Sequence, residues 1–96
     1  MKVVCTPGFV RDALVQAGPV REGLSKLLRV AMELEAAALL NHQGVHLEKL
    51  AGKVDPASRK PLYSLRATRS ARVIAILDGD ALVPLTVVAD HDKAYR

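Results

Sequence analysis

Two arginines, Arg66 and Arg72, bracket the short run Ala-Thr-Arg-Ser-Ala between two apolar segments. A connection this short returns the chain beside itself, so both guanidiniums can come within reach of one phosphate. Arginine suits that task because its planar fork binds phosphate in a bidentate manner and keeps its charge at any relevant pH. The same pair reads equally well as solvated arginines on a sheet edge, where surface ion pairs contribute little. A second cluster closes the sequence: Asp90-His91-Asp92-Lys93-Ala94-Tyr95-Arg96 directly follows an apolar run. His91, Lys93 and Tyr95 at a strand end offer groups that donate or accept protons beside a cationic patch. A solvent-exposed tail is the alternative, and an ordinary one for a lone histidine near a terminus.

The remaining candidates point away from metal and cofactor chemistry. His42 and His46 have the i, i+4 spacing of a helical metal pair, but Gly44 lies between them and the sequence offers no obvious third ligand. No metal site and no cofactor is expected. Cys5 has no base nearby in sequence and reads as a small buried hydrophobe. The sequence contains no glycine-rich phosphate loop, serine nucleophile elbow or Cys-x-x-Cys pair.

Charge singles out the middle of the chain. The formal net charge is +4, and Lys49, Lys53, Arg59, Lys60, Arg66, Arg69 and Arg72 face the single acid Asp55 between positions 49 and 72. Such a concentration of positive field suits a polyanion or an acidic protein as partner, or else is a solvated face with none. With 96 residues the chain is expected to form one domain, 1–96. Half of its residues are apolar while Phe9, Tyr63 and Tyr95 are the only aromatics, so an aliphatic core is expected. One cysteine forms no internal disulfide, and no apolar run follows the first basic residue as in a secretory signal, which together suggest a reducing cytoplasm. The longest apolar stretch, Leu28 to Leu40, is interrupted by Arg29, Glu33 and Glu35, so no bilayer span is expected.

The elements that must position these residues follow from periodicity. Lys2 to Thr6 is short and β-branched and suits an edge strand. Thr6-Pro7 supplies an N-cap followed by a proline at the first helical position, predicting a helix through Phe9, Ala13 and Leu14 to about Gln16. Gly18-Pro19 punctuates the chain. From Val20 to Asn41, Leu24, Leu27, Leu28, Ala31, Leu34 and Ala38 recur at helical spacing and predict one long amphipathic helix, paired with the first as a hairpin. Val45 to Pro61 is polar, carries Gly52, Pro56 and Pro61, and is expected to be a loop or short extended stretch. Beyond it the runs from Leu62 to Ala67, Arg72 to Leu77 and Ala81 to Ala89 predict three consecutive antiparallel strands, with Asp78-Gly79-Asp80 as a tight hairpin turn. Pro84 lies inside the third and calls for a bulge or an edge-facing position. The order β-α-α-β-β-β segregates helices from strands, giving an α+β class: a short N-terminal strand and a helical hairpin packed on one face of a twisted antiparallel sheet.

Several of these segments together carry a family resemblance: Leu47-Glu-Lys-Leu-Ala-Gly52, Pro61-Leu-Tyr-Ser-Leu-Arg-Ala67, Ala71-Arg-Val-Ile-Ala-Ile-Leu-Asp-Gly-Asp80 and Asp90-His-Asp-Lys-Ala-Tyr-Arg96. The chain resembles the RelE/ParE toxin superfamily, in particular the branch ending in a His-Asp-x-x-Tyr motif. The resemblance implies a bacterial toxin of a type II toxin-antitoxin system, neutralised by a cognate antitoxin. It implies a ribosome-dependent, metal-independent mRNA endonuclease of the RelE kind, with the ribosome and mRNA as partners. The alternative is a ParE-like inhibitor of DNA gyrase without chemistry of its own, or a non-toxic binding module. On the endonuclease reading, Arg72 holds the scissile phosphate with Arg66 as its basic neighbour, Tyr95 orients a base, and His91 stands where many members carry arginine. Lys49 is a looser match to the family's basic loop, and Lys53, Arg69 and Lys93 extend the RNA-binding surface. Asp90 and Asp92 put negative charge beside that surface. The resemblance gives neither the antitoxin's identity nor the oligomeric state.

Overall fold

Thr6 starts the first helix as its side chain dictates. The hydroxyl oxygen accepts the Phe9 N–H at 3.1 Å, and Pro7 takes the first turn, where a missing N–H leaves nothing unpaired. The computed structural model describes residues 1–89. In chain order they form β1 (Lys2–Val3), α1 (Pro7–Leu14), α2 (Gly18–Glu33), α3 (Ala36–Leu40), β2 (Glu48–Val54), β3 (Pro61–Arg66), β4 (Arg72–Asp78) and β5 (Ala81–Val88). The strands lie side by side in the order β1-β5-β4-β3-β2. Every contact is antiparallel except β1 with β5, which is parallel. The sheet is therefore mixed rather than wholly antiparallel. A parallel pair needs a long crossover, and everything from α1 through β4 supplies it.

One face of this sheet makes the core. Leu65, Val73, Ala75 and Leu82 pack beneath Phe9, Leu24, Leu27, Ala31 and Leu39, so the helices cover a single face, as the segregated element order implies. Most of these side chains retain only a few per cent exposure or less, and burying each large one contributes roughly 1.5–3 kcal/mol. Gly23 sets how closely α2 approaches. A Cβ there would lie 2.6 Å from the Ala67 carbonyl oxygen and collide with the Thr68 methyl.

Three features differ from the sequence expectation. The long helix ends at Glu33, where Leu34 turns extended with ψ 155. A separate single turn, α3, then buries Leu39 completely. The Met1 ammonium donates to the Ala31 and Met32 carbonyls at 3.0 and 3.2 Å, and to that of Leu34, taking up acceptors that a helix end leaves free. Secondly, the segment expected to be a loop or short extended stretch is extended as β2, an edge strand that adds to the three expected and whose residues are exposed apart from the half-buried Leu50. It shows no alternating pattern because it buries almost nothing, and Gly52 at φ +72 sits within its register shift. Thirdly, β1 is shorter than the expected strand and ends before Val4.

The hairpin features match the expectation. Gly79 takes φ +62 in the turn closing Asp78 against Ala81. Pro84 sits beside a register shift between Ile74 and Ala75. Its carbonyl accepts the Thr6 N–H at 3.3 Å and the Thr6 hydroxyl at 3.0 Å. A strand residue presents N–H and C=O to the same side, so the donor that Pro84 lacks lies toward β1 and is not subtracted from the β4 ladder. Among the described residues no helix is long and apolar enough to cross a membrane.

Candidate functional site

Arg66 ends β3 and Arg72 begins β4, and the register sets them directly opposite one another. Directly opposed residues have Cβ atoms about 4.5–5.5 Å apart and share a sheet face. Leu65 and Val73, one position away, face the helices, so strand alternation directs Arg66 and Arg72 to the opposite face. Val88 of β5 completes their row. Arg66 is exposed and Arg72 half-buried. Among the described residues no carboxylate lies within salt-bridge distance of either guanidinium. Two like charges held side by side create a local field suited to a multiply charged oxyanion, and each fork supplies parallel donors to it.

The adjacent row on the same face runs from Glu48 through Ser64 and Ile74 to Thr86. Ser64 is buried and its hydroxyl has no hydrogen-bond partner among the described residues. Thr86 donates its hydroxyl to the Asp12 carboxylate of α1, which runs along β5. Glu48 stands 3.8 Å from Nε2 of His46, an exposed pair next to the arginine row. Spacing alone did not single out Glu48, Ser64 or His46 as neighbours of this site. The missing signal was the β2 pairing, because a strand that buries nothing leaves no alternation to read.

The basic residues expected around the arginines are distributed unevenly. Lys49 pairs with Tyr63 and so projects to the helix side of the sheet, away from the pair. Lys53 precedes Val54, which opposes Pro61, and alternation turns it to the arginine face but toward the sheet's other end. Arg69 lies exposed in the connection between β3 and β4, which is closed by the Ala67 and Thr68 N–H groups donating to the Ala71 carbonyl at 3.0 and 3.2 Å. His91, Lys93 and Tyr95 lie outside the described residues. His42 and His46 do not converge on a metal-binding cluster, and none of three or more ligating side chains occurs among the described residues. Cys5 is exposed, contrary to its expected burial, and lies just past the end of β1. Partial burial nonetheless pushes its thiol above its ordinary pKa, which disfavours a reactive thiolate.

No family model and no curated protein matches the chain. Solved structures do. A chain from the RelB-RelE antitoxin-toxin complex of Methanococcus jannaschii superposes with a TM-score of 0.69 at 16% identity, covering 96% of this chain and 94% of that one. A copper-bound mutant toxin from Helicobacter pylori superposes with a TM-score of 0.56 at 13% identity, covering 97% of each chain. At these identities the likeness is one of fold, and the architecture is RelE-like.

Proposed function

We propose that the chain, acting as a single domain, is the toxin of a type II toxin-antitoxin pair and cleaves mRNA on the ribosome as a metal-independent endonuclease. The observation that carries this reading is the direct cross-strand pairing of Arg66 with Arg72 on the face turned away from the helices. Support of a coarser kind comes from the RelE-like fold shared with a chain crystallised in an antitoxin-toxin complex. An antitoxin segment of acidic or amphipathic character is the partner that complements this basic chain.

In the proposed reaction the RNA 2′-oxygen attacks the neighbouring phosphorus, the bond to the 5′-oxygen breaks, and a cyclic phosphate remains. Arg66 and Arg72 take up the charge that develops on the non-bridging oxygens. The 2′-hydroxyl proton leaves as attack begins, and the departing 5′-oxygen gains one. His91, helped by Tyr95, is assigned to these transfers, with Tyr95 also orienting a base. Lys49, matched in sequence to the family's basic loop, faces the helix side and is left out of the proposed RNA-contacting set. Glu48 and His46 are the titratable groups that the described strands set beside Arg66.

Ribosome-bound message incubated with purified protein and mapped by primer extension tests the proposal. Arg72→Ala is expected to slow cleavage roughly 10²- to 10³-fold, as loss of one charge-stabilising donor does, while its thermal melt stays near wild type. Equal cleavage by the variant would remove the catalytic reading. Arrest of DNA replication with translation intact would favour the gyrase-inhibitor alternative instead.

A further inference from the structure

The backbone of Arg66 is held from the side away from Arg72. Its N–H donates to the Val45 carbonyl at 2.7 Å, whereas that of the next residue, Ala67, donates to Ala71 in the connection to β4. A strand residue presents its N–H and C=O to the same neighbour, so Arg66 turns both groups away from β4. It therefore opposes Arg72 as a non-hydrogen-bonded pair, the kind whose Cα atoms are about 4.5 Å apart and whose side chains come closest. Like charges meet there at the end of β3 and oppose the pairing of the two strands. The bond to Val45 braces Arg66 at that point.

Val45 is held in turn by His42. The imidazole Nδ1 accepts the Val45 N–H at 3.1 Å, and the Val45 side chain is buried in the core. The turn is shaped around that ring, since a Cβ on Gly44 would stand 3.0 Å from Cε1 and 3.3 Å from Nδ1 of His42. His46 adopts φ +50, a left-handed backbone that residues with a side chain rarely take. Glu48 pairs with Ser64, and continuing that register would set His46 opposite Arg66. With His46 left-handed, the carbonyl of Val45 meets the Arg66 N–H instead. Displacements of this kind recur beside functional sites, where they re-aim a side chain.

We infer that His42 is a positioning residue for Arg66, acting through Val45 to fix the backbone from which one guanidinium of the pair projects. The inference rests on the anion-binding reading of Arg66 and Arg72. The role needs a hydrogen-bond acceptor at the position of Nδ1, not a basic ring.

Substitutions at His42 separate the acceptor from the ring. His42→Asn carries its side-chain oxygen as many bonds from Cα as Nδ1 and keeps the acceptor. His42→Phe keeps a planar ring and loses it, and His42→Leu takes its place if the phenyl variant melts early. In amide NMR titrations of the full chain with inorganic phosphate, His42→Phe is expected to weaken binding about fivefold, the size of one net hydrogen bond. His42→Asn should stay close to wild type. On an Arg66→Ala background His42→Phe should cause no further loss, because a residue that acts only through Arg66 is not additive with it. Hydrogen exchange at the Arg66 amide should also accelerate in His42→Phe, and by more than at Leu65 of the same strand. Wild-type phosphate affinity in His42→Phe, equal losses in the Asn and Phe variants, or full additivity with Arg66→Ala would overturn the inference. Failure of the arginine-pair reading looks different: phosphate then leaves the Arg66 and Arg72 amides of the wild type unmoved. Amide exchange still decides the role of His42 in that case, and an unchanged Arg66 rate in His42→Phe would end it.

Discussion

The two faces of β3 and β4 are built from alternate residues of the same strands, yet they obey different rules. On the helix side Leu65 opposes Val73 and both are excluded from solvent, so each side chain is chosen by shape and volume. On the other side Arg66 opposes Arg72, a like-charge pair that opposes pairing of the very strands it sits on. The helix side supplies the stability that lets the arginine side hold a repulsive arrangement. Sites of this kind are where local rules are broken and the rest of the fold compensates.

Stability measurements can break or sharpen this contrast. The largest effect is expected from Leu65→Ala, which opens a cavity at a fully buried position and should destabilise the fold by about 2–5 kcal/mol in denaturant unfolding. A loss below 1 kcal/mol would mean that the helix side is not the stabilising face. Ser64→Ala removes a buried hydroxyl that lacks a partner among the described residues, and the expected result is unchanged stability or a gain of up to about 1 kcal/mol. Marked destabilisation would show that the hydroxyl is satisfied in solution. Arg66→Thr replaces one member of the like-charge pair with a good strand former and should raise stability by a few tenths of a kcal/mol, about the lower part of the cross-strand range, while weakening phosphate binding. A fall in stability would instead mark the pair as a structural device.

The smallest effect belongs to the turn between β2 and β3. Asp55 accepts hydrogen bonds from the Ser58 hydroxyl at 2.7 Å and the Ser58 N–H at 3.0 Å, and these hold its carboxyl below the usual carboxylate range. A folded-state pKa below the unfolded one stabilises the protein above the unfolded value, and that contribution fades as pH falls through both. Asp55→Ala should therefore lower the melting temperature slightly near neutral pH and leave the variant and wild type alike in strong acid. A constant offset at every pH would assign the effect to the turn's packing rather than to its charge.

Much of the architecture was legible in residue order. Thr6-Pro7 and Asp78-Gly79-Asp80 act through their own backbone preferences, and the expected cap and hairpin turn are both present. The stripe at Leu24, Leu27 and Ala31 is likewise buried as its spacing requires. The end of α2 was not legible, since residues 34 to 40 keep an apolar helical pattern. Only the competition between continuing that helix and burying Leu39 decides where it stops. Neither was β2, whose exposed residues record no face.

The same division holds at the candidate site. Charge type, the short connection between Arg66 and Arg72 and the alternation of the strands around them are local properties, so the chain's own residues determined that two arginines would stand opposite one another. Which further groups stand beside them depended on strand order and register, long-range choices made by the fold as a whole. That is why Lys49 turned to the helix side while Glu48, one position earlier, came to the arginine face. With a side-chain period of two, a single step in register exchanges the faces, and no short stretch of sequence fixes that step for an edge strand that buries almost nothing.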